Sequence, residues 1–202
     1  MLRATAVFNT SISEARALTG LYDFLSQSIT SPYSFDDILR SQIVYGVSAF
    51  DKLIHDLVRI GMVATFVGTR TATPKYLSEV ITIELHGALI SATIPPKELV
   101  FEQEVIRKLR LQTFHDPTKI ADGLSFIWTE AYKWQKIAAA MGRDAEDAKR
   151  FLKLIATRRN AIVHESDIDP ISHTKTPITR AECNEITDFL SRCGNAIAGL
   201  VI

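Results

Sequence analysis

The stretch DAEDAKRFLKLIATRRNAIVHESD, residues 144–167, reads as one long helix with a polar cluster at its C-terminal end. Asp144 stands where an N-cap is needed, and Glu146 and Asp147 put negative charge in the first turn, where the helix dipole favours it. Phe151, Leu152, Ile155, Ile162 and Val163 then recur at helical spacing. Near the end of that run stand Arg158, Arg159, Asn160 and His164. At about 100° per residue, Phe151, Ile155 and Ile162 share a face, Arg159 lies on its edge, and Asn160 and His164 turn toward the far side. Arg159 and His164 therefore come out about 140° apart, a gap that a long arginine, a bend at the helix end or a second copy of the chain would close.

These residue types suit phosphodiester chemistry. A histidine near neutral pH can take the proton of a ribose 2′-hydroxyl or deliver one to a leaving oxygen, while an arginine holds a phosphate oxygen bidentately as negative charge develops. Asn160 is suited to orienting the substrate or the histidine, and Arg158 to touching an RNA backbone. The scheme requires no metal or other cofactor, because Glu165, Asp167 and Asp169 accompany a single histidine without a second ligand at helical spacing. Basic residues and a histidine at a helix C-terminus also serve simply to cap carbonyls and offset the dipole. The chain contains its own comparison: Arg110 and His115 in RLQTFH repeat the spacing. Leu111 follows that arginine and Asp116-Pro117 follows that histidine, the context of an ordinary helix exit, so this pair is expected to be dispensable.

Arg159-Asn160-Ala161-Ile162-Val163-His164 resembles the pattern that marks the HEPN superfamily: arginine, a polar residue, three residues, histidine. RRNAIVHESDID is similar to its form in the group named after RiboL-PSP-HEPN domains. A second stretch, ILRSQIVYGVSAFDKLIHDLV from Ile38 to Val58, resembles the long early helix of that group through Ser48, Ala49, Phe50, Asp51, His55 and Asp56. By order of elements the resemblance runs from about Ile12 to Ile197, with no motif match between Leu85 and Gly123. It implies a homodimer that brings two Arg-x4-His motifs into one cleft. It further implies a toxin or antiviral effector, with an antitoxin or defence-system protein as a possible partner. In such a site His164 would be the general acid or base, Arg159 the phosphate and transition-state ligand, and Asn160 a positioning residue.

Composition agrees with a helical domain without singling one out. A chain of 202 residues, 47% hydrophobic, can bury a substantial core, and residues 1–202 are expected to form one domain. Lysine plus arginine equals aspartate plus glutamate at 23 each, so any contact with nucleic acid must come from a local patch and not a global field. Cys183 and Cys193 lie ten residues apart in one expected helix, about 15 Å apart and beyond disulfide reach, as free thiols of a reducing cytoplasm would be. The opening MLRATAVFNTSIS lacks a signal-peptide pattern and no apolar run approaches a membrane span, so a soluble, cytoplasmic protein is expected.

Periodicity predicts helices nearly throughout. Ser11-Ile12-Ser13-Glu14 has the form of a capped start for a helix that fades before Pro32. Phe35 to Phe66 carries apolar residues with helical period over some nine turns and is the expected centre of the bundle, with Gly46 marking a close backbone approach. After a turn at Gly68 to Pro74, residues 75–91 mix helical spacing with β-branched residues and are assigned to helix. Pro95-Pro96 opens a charged helix from Lys97 to His115, and Asp122-Gly123 starts another through Met141. Trp128 and Tyr132 on that helix are assigned to packing, although aromatics can also stack bases. Glu165 to Pro177 is a polar loop able to close over the site, and Thr179 starts the last helix.

The sequence thus predicts an all-α, irregular bundle of six to seven helices, and, through the resemblance, a metal-independent endoribonuclease acting on RNA. Two alternatives remain: a non-catalytic HEPN-like domain that binds nucleotide or RNA, and a structural helical domain that binds a partner protein.

Overall fold

The computed structural model describes residues 1–201, and among these the chain is all-α, with nine helices and no strand. In chain order they are α1 (Leu2–Ser28), α2 (Asp36–Phe66), α3 (Pro74–Leu77), α4 (Ile83–Ser91), α5 (Lys97–Leu109), α6 (Pro117–Leu124), α7 (Lys133–Met141), α8 (Ala145–His164) and α9 (Arg180–Val201). α2 is the axis of the bundle. Leu39, Ile43, Val47, Phe50, Ile54, Leu57, Val58 and Met62 leave it in several directions and are all buried, so α1, α5, α6, α8 and α9 can pack around it. A helix buried on most of its circumference reads as continuously apolar, which is why its length and place follow from the pattern. Each fully buried aliphatic side chain on it contributes about 1.5–3 kcal/mol.

Local chemistry explains where the chain departs from the periodic reading. α1 begins at Leu2 and not near Ser11, because Ala4, Phe8, Ile12, Ala15 and Thr19 form one buried stripe that runs through the expected cap. Residues 75–91 divide into α3 and α4: Thr73 and Thr82 each accept a backbone N–H from three residues on, so both act as N-caps and the intervening Glu79–Thr82 is extended or turn. α5 ends at Leu109 with Arg110 as its C-cap, short of the expected His115, and Asp116-Pro117 opens α6. Asp116 Oδ1 accepts from the Thr118 and Lys119 N–H groups, and proline occupies the first turn, where it costs no hydrogen bond. Asp122 and Gly123 therefore lie within α6, and Trp128 and Tyr132 lie in the connection to α7, Trp128 against the core and Tyr132 exposed.

Gly46 does mark a close approach, but to side chains of α9. A Cβ there would lie 3.3 Å from Thr187 Cγ2 and 3.4 Å from Leu190 Cδ1. Gly142, at φ 65°, gives α7 a left-handed C-cap and turns the chain directly into α8. Cys183 and Cys193 are free and buried in α9, and burial pushes both thiols up to about 12, which leaves them unreactive. Among the described residues no helix is long and apolar enough to cross a membrane.

Candidate active site

α8 starts as its sequence requires. Asp144 Oδ1 accepts the Glu146 N–H at 2.8 Å and the Asp147 N–H at 3.0 Å, and bonds from Asp147 and Glu146 hold the Asp144 carboxyl below its ordinary range. The helix then packs Ala148, Leu152, Ile155 and Ala156 inward and delivers the motif residues to its far end, beside α2 and α6.

The two adjacent arginines have opposite environments. Arg158 turns inward, its side chain 15% exposed, and its Nη1 lies 2.5 Å from Asp167 Oδ1, with Asp167 fully buried. Asp167 Oδ2 in turn takes Arg40 Nε of α2 at 2.6 Å. Arg40 donates further to the Thr176 carbonyl at 2.7 Å, and Arg158 to the Pro177 carbonyl at 3.0 Å. Asp37 and Lys175 close the cluster at 2.6 Å, and Glu182 lies 3.6 Å from Arg158. Three carboxylates and three cations thus clasp the segment after α8 onto α2 and α8, with Glu182 of α9 beside Arg158. The position expected to touch an RNA backbone is occupied by a cation that Asp167 already neutralises.

Arg159 has no carboxylate partner among the described residues. It is partly buried, Nη1 donates to Asn160 Oδ1 at 3.1 Å, and Nε is buried without any acceptor. Arg158 Nε is likewise buried without a hydrogen bond, so what sets Arg159 apart is that no carboxylate among the described residues lies within ion-pair distance of it. Arg159 and Asn160 are brought together. His164, at the last turn of α8, is exposed and makes no hydrogen bond or ion pair among the described residues. The segment beyond it is pinned by its own hydrogen bonds. Ala161 O accepts both the Glu165 and Asp167 N–H groups, Ile168 pairs with Lys175 in an isolated antiparallel bridge, and Asp169 Oδ1 takes the Ile171 and Ser172 N–H groups.

Lys149, Lys153, Thr157, Asn160 and His164 fall within an arc of about 80° on α8. The first three of these line an open groove of about 570 Å³ against Pro117, Thr118 and Trp134 of α6 and α7. The groove thus runs along the helix face on which Asn160 and His164 stand.

Sequence reasoning missed what α2 and the α5–α6 connection add. Asp51 and His55, one turn apart on α2, form a pair with Nε2 to Oδ2 of 3.3 Å. The Phe114 backbone N–H donates to Asp51 Oδ1, and the His55 ring meets the buried Phe114 ring edge to face at 4.7 Å. That clamp fixes Phe114; the next residue, His115, is half-buried just before α6. Burial works to raise the Asp51 pKa, but the hydrogen bonds from His55 and Phe114 and the charges of His55 and His115 outweigh it, and the carboxyl sits below its ordinary value. His115 moves down: burial dominates, Arg159 and Lys119 add to it, and Asp51 and Asp116 oppose it. Arg110 is an exposed C-cap of α5, as the helix-exit reading expects, and His115 lies half-buried in the connection to α6. Asp51 and His55 were visible as an acid–histidine pair at i, i+4, but nothing in the sequence tied Phe114 to them. Among the described residues no group of three His, Cys, Asp or Glu side chains forms a ligand set for a metal ion.

The sequence model of the family described as RiboL-PSP-HEPN matches residues 9–202. No curated protein and no solved structure matches the chain.

Proposed function

Since the chain belongs to the RiboL-PSP-HEPN family, we propose that it is a metal-independent endoribonuclease of HEPN type, with Arg159, Asn160 and His164 as its site. The observation that carries this reading is an Arg159 guanidinium hydrogen-bonded to Asn160 and without a carboxylate partner among the described residues, at the end of a helix that also carries an exposed histidine. Arg159 holds the scissile phosphate and the charge that grows on it, Asn160 keeps the guanidinium oriented, and His164 transfers a proton. The groove beside Lys149 and Lys153 supports an RNA strand running along α8 toward that end. Arg158 belongs to the clasp that holds the adjacent segment. A toxin or antiviral effector restrained by an antitoxin or a defence-system partner is the biological role that fits such an activity.

The attacking group in this scheme is the substrate's own 2′-hydroxyl and not a metal-bound water. Purified protein should therefore cleave RNA in excess EDTA and leave a 2′,3′-cyclic phosphate, detectable by mass spectrometry of the fragments. An oligonucleotide with a single 2′-deoxy sugar at the scissile position should be inert. Cleavage of that oligonucleotide would remove the mechanism.

The active species is a homodimer in this reading. Arg159 and His164 point about 140° apart on α8, so two copies related by a two-fold axis bring an arginine of one to a histidine of the other more readily than one chain folds them together. Val163, next to His164 in the chain, and Ile168 and Ile171 in the segment after it are exposed apolar side chains that a second copy would cover. Specific activity should fall as the protein is diluted through its dimer dissociation constant, followed by sedimentation beside initial rates. A monomer that cleaves at full specific activity would rule out the shared site.

A further inference from the structure

The groove between α8 and the α6–α7 face is lined by Lys149, Arg150 and Lys153 against a single carboxylate, Glu146. In a chain whose basic and acidic residues balance at 23 each, such a local excess is what a polyanion would meet. The three cations are not equivalent. Lys149 Nζ lies 2.5 Å from Glu146 and Arg150 pairs with Asp147 at 2.7 Å, each with the residue three back on the helix. Lys153 is exposed and has no carboxylate within ion-pair distance among the described residues. The rest of the lining is largely apolar. Trp134 Nε1 donates to the Pro117 carbonyl at 2.8 Å, which ties α7 to the start of α6 and fixes the far wall, while Leu154 on the near wall is 59% exposed. On α8 the lining runs from Glu146 to Thr157, about 16 Å of helix, and His164 stands on the same face about 10 Å further on. Lys153 and His164 are thus separated by about 16 Å along the helix axis.

We infer that this groove is a distal subsite for single-stranded RNA, in which Lys153 holds a backbone phosphate about 16 Å from the phosphate cleaved at His164. The inference rests on the ribonuclease reading and names the substrate class of that site. Phosphates of a stacked strand follow one another at about 3.4 Å along its axis, so the separation corresponds to about five nucleotides, and to fewer where the strand is pulled out. Substrate length therefore matters on one side of the cleaved bond and stops mattering once the strand reaches Lys153. A single strand is favoured over a duplex by the lining itself. A groove of about 570 Å³ admits one backbone, with its bases laid against Leu154 and Ala121, whereas a duplex keeps its base faces stacked inside and offers this surface only phosphates, for which Lys153 is the one groove cation without a carboxylate partner among the described residues.

Two readouts on the full-length protein test this. In the first, fluorescence anisotropy follows a labelled oligouridylate whose sugars are all 2′-deoxy, so that it binds without being cut. Lys153→Glu should raise its Kd about 10-fold or more, and Lys153→Ala should lower the slope of log Kd against log salt by about 1. Lys97→Glu, the same change of charge on α5 outside the groove, should do neither. An RNA duplex of equal length should bind more weakly than the single strand. In the second, kcat/KM is measured on oligouridylates of increasing length. It should climb as nucleotides are added on one side of the cleaved bond, level off at about five, and lose that climb in Lys153→Glu. Cleavage indifferent to length, or a Lys153→Glu protein that binds like Lys97→Glu, discards the subsite and keeps the ribonuclease reading. Duplex bound as tightly as single strand overturns the substrate class. A protein that never cleaves RNA, yet binds the deoxy strand through Lys153, discards the ribonuclease reading and keeps the groove.

Discussion

Replacing Arg159 or His164 by alanine is expected to lower RNA cleavage at least 10²-fold while leaving helicity and thermal melting close to those of the parent. The combination matters more than either half. His164 is exposed and makes no hydrogen bond or ion pair among the described residues, so its removal deletes a proton carrier and no structural contact. Among the described residues Arg159 makes one hydrogen bond, to its neighbour Asn160, and has no carboxylate partner. Removing it takes positive charge away from a partly buried place, which costs the fold little and costs a developing phosphorane its principal stabiliser. Arg158→Ala is the informative contrast at the adjacent position. It should lose stability first, because it strips Asp167 of a partner, and lose activity only as far as the segment after α8 loosens. Initial rates on a defined RNA beside circular-dichroism melts separate the two behaviours. If Arg158→Ala abolished chemistry with the melt unchanged while Arg159→Ala stayed active, the roles assigned to the two arginines would have to be exchanged.

That contrast also marks where the sequence stops being informative. The order and centre of the bundle were legible because α2 and α8 repeat apolar residues with helical period over many turns, and burial enforces such a pattern wherever it occurs. Boundaries were less so. Ser11 and Glu14 make a plausible cap, but the buried stripe through Ala4 and Phe8 outweighs one local hydrogen bond, and α1 runs through. The motif residues could be named from their types and spacing, and the 140° between Arg159 and His164 follows from helix geometry alone. What periodicity cannot supply is pairing across the chain. Asp167 finding both Arg40 and Arg158, and Asp51 finding the Phe114 backbone, are contacts over 127, 9 and 63 residues that depend on tertiary packing. The motif separates Arg159 from Arg158 in the sequence, but the ion pairing of Arg158 appears only once the carboxylate that holds it is located.

Asp167→Ala is expected to destabilise the protein by about 3–5 kcal/mol, the largest loss predicted for any single polar side chain in the fold. Its carboxylate is fully buried and serves two guanidiniums, so truncation leaves Arg40 and Arg158 facing each other across a dry site with one cation in excess. Two effects contribute, and they can be separated. Asp167 sits at φ 57°, a left-handed conformation that aspartate tolerates better than alanine, and alanine there adds about 1–2 kcal/mol of backbone strain to the loss of charge. Asp167→Gly loses the same carboxylate without that strain and should recover roughly that amount, so the remaining deficit measures the ion network itself. Asp167→Asn, which keeps shape and one acceptor, should fall between the parent and the glycine variant. The exposed Arg150–Asp147 pair, at 2.7 Å, is the internal control: Asp147→Ala should shift stability by no more than about 0.5–1 kcal/mol despite similar geometry, because water screens it. Urea unfolding with a fixed m-value reads all four variants on one scale. If Asp167→Gly cost no more than Asp147→Ala, the cluster would be a solvated decoration. The segment from Glu165 to Thr179 would then be held by its own turns, the Ile168–Lys175 bridge and the Asp169 cap, and not by the clasp to α2 and α8.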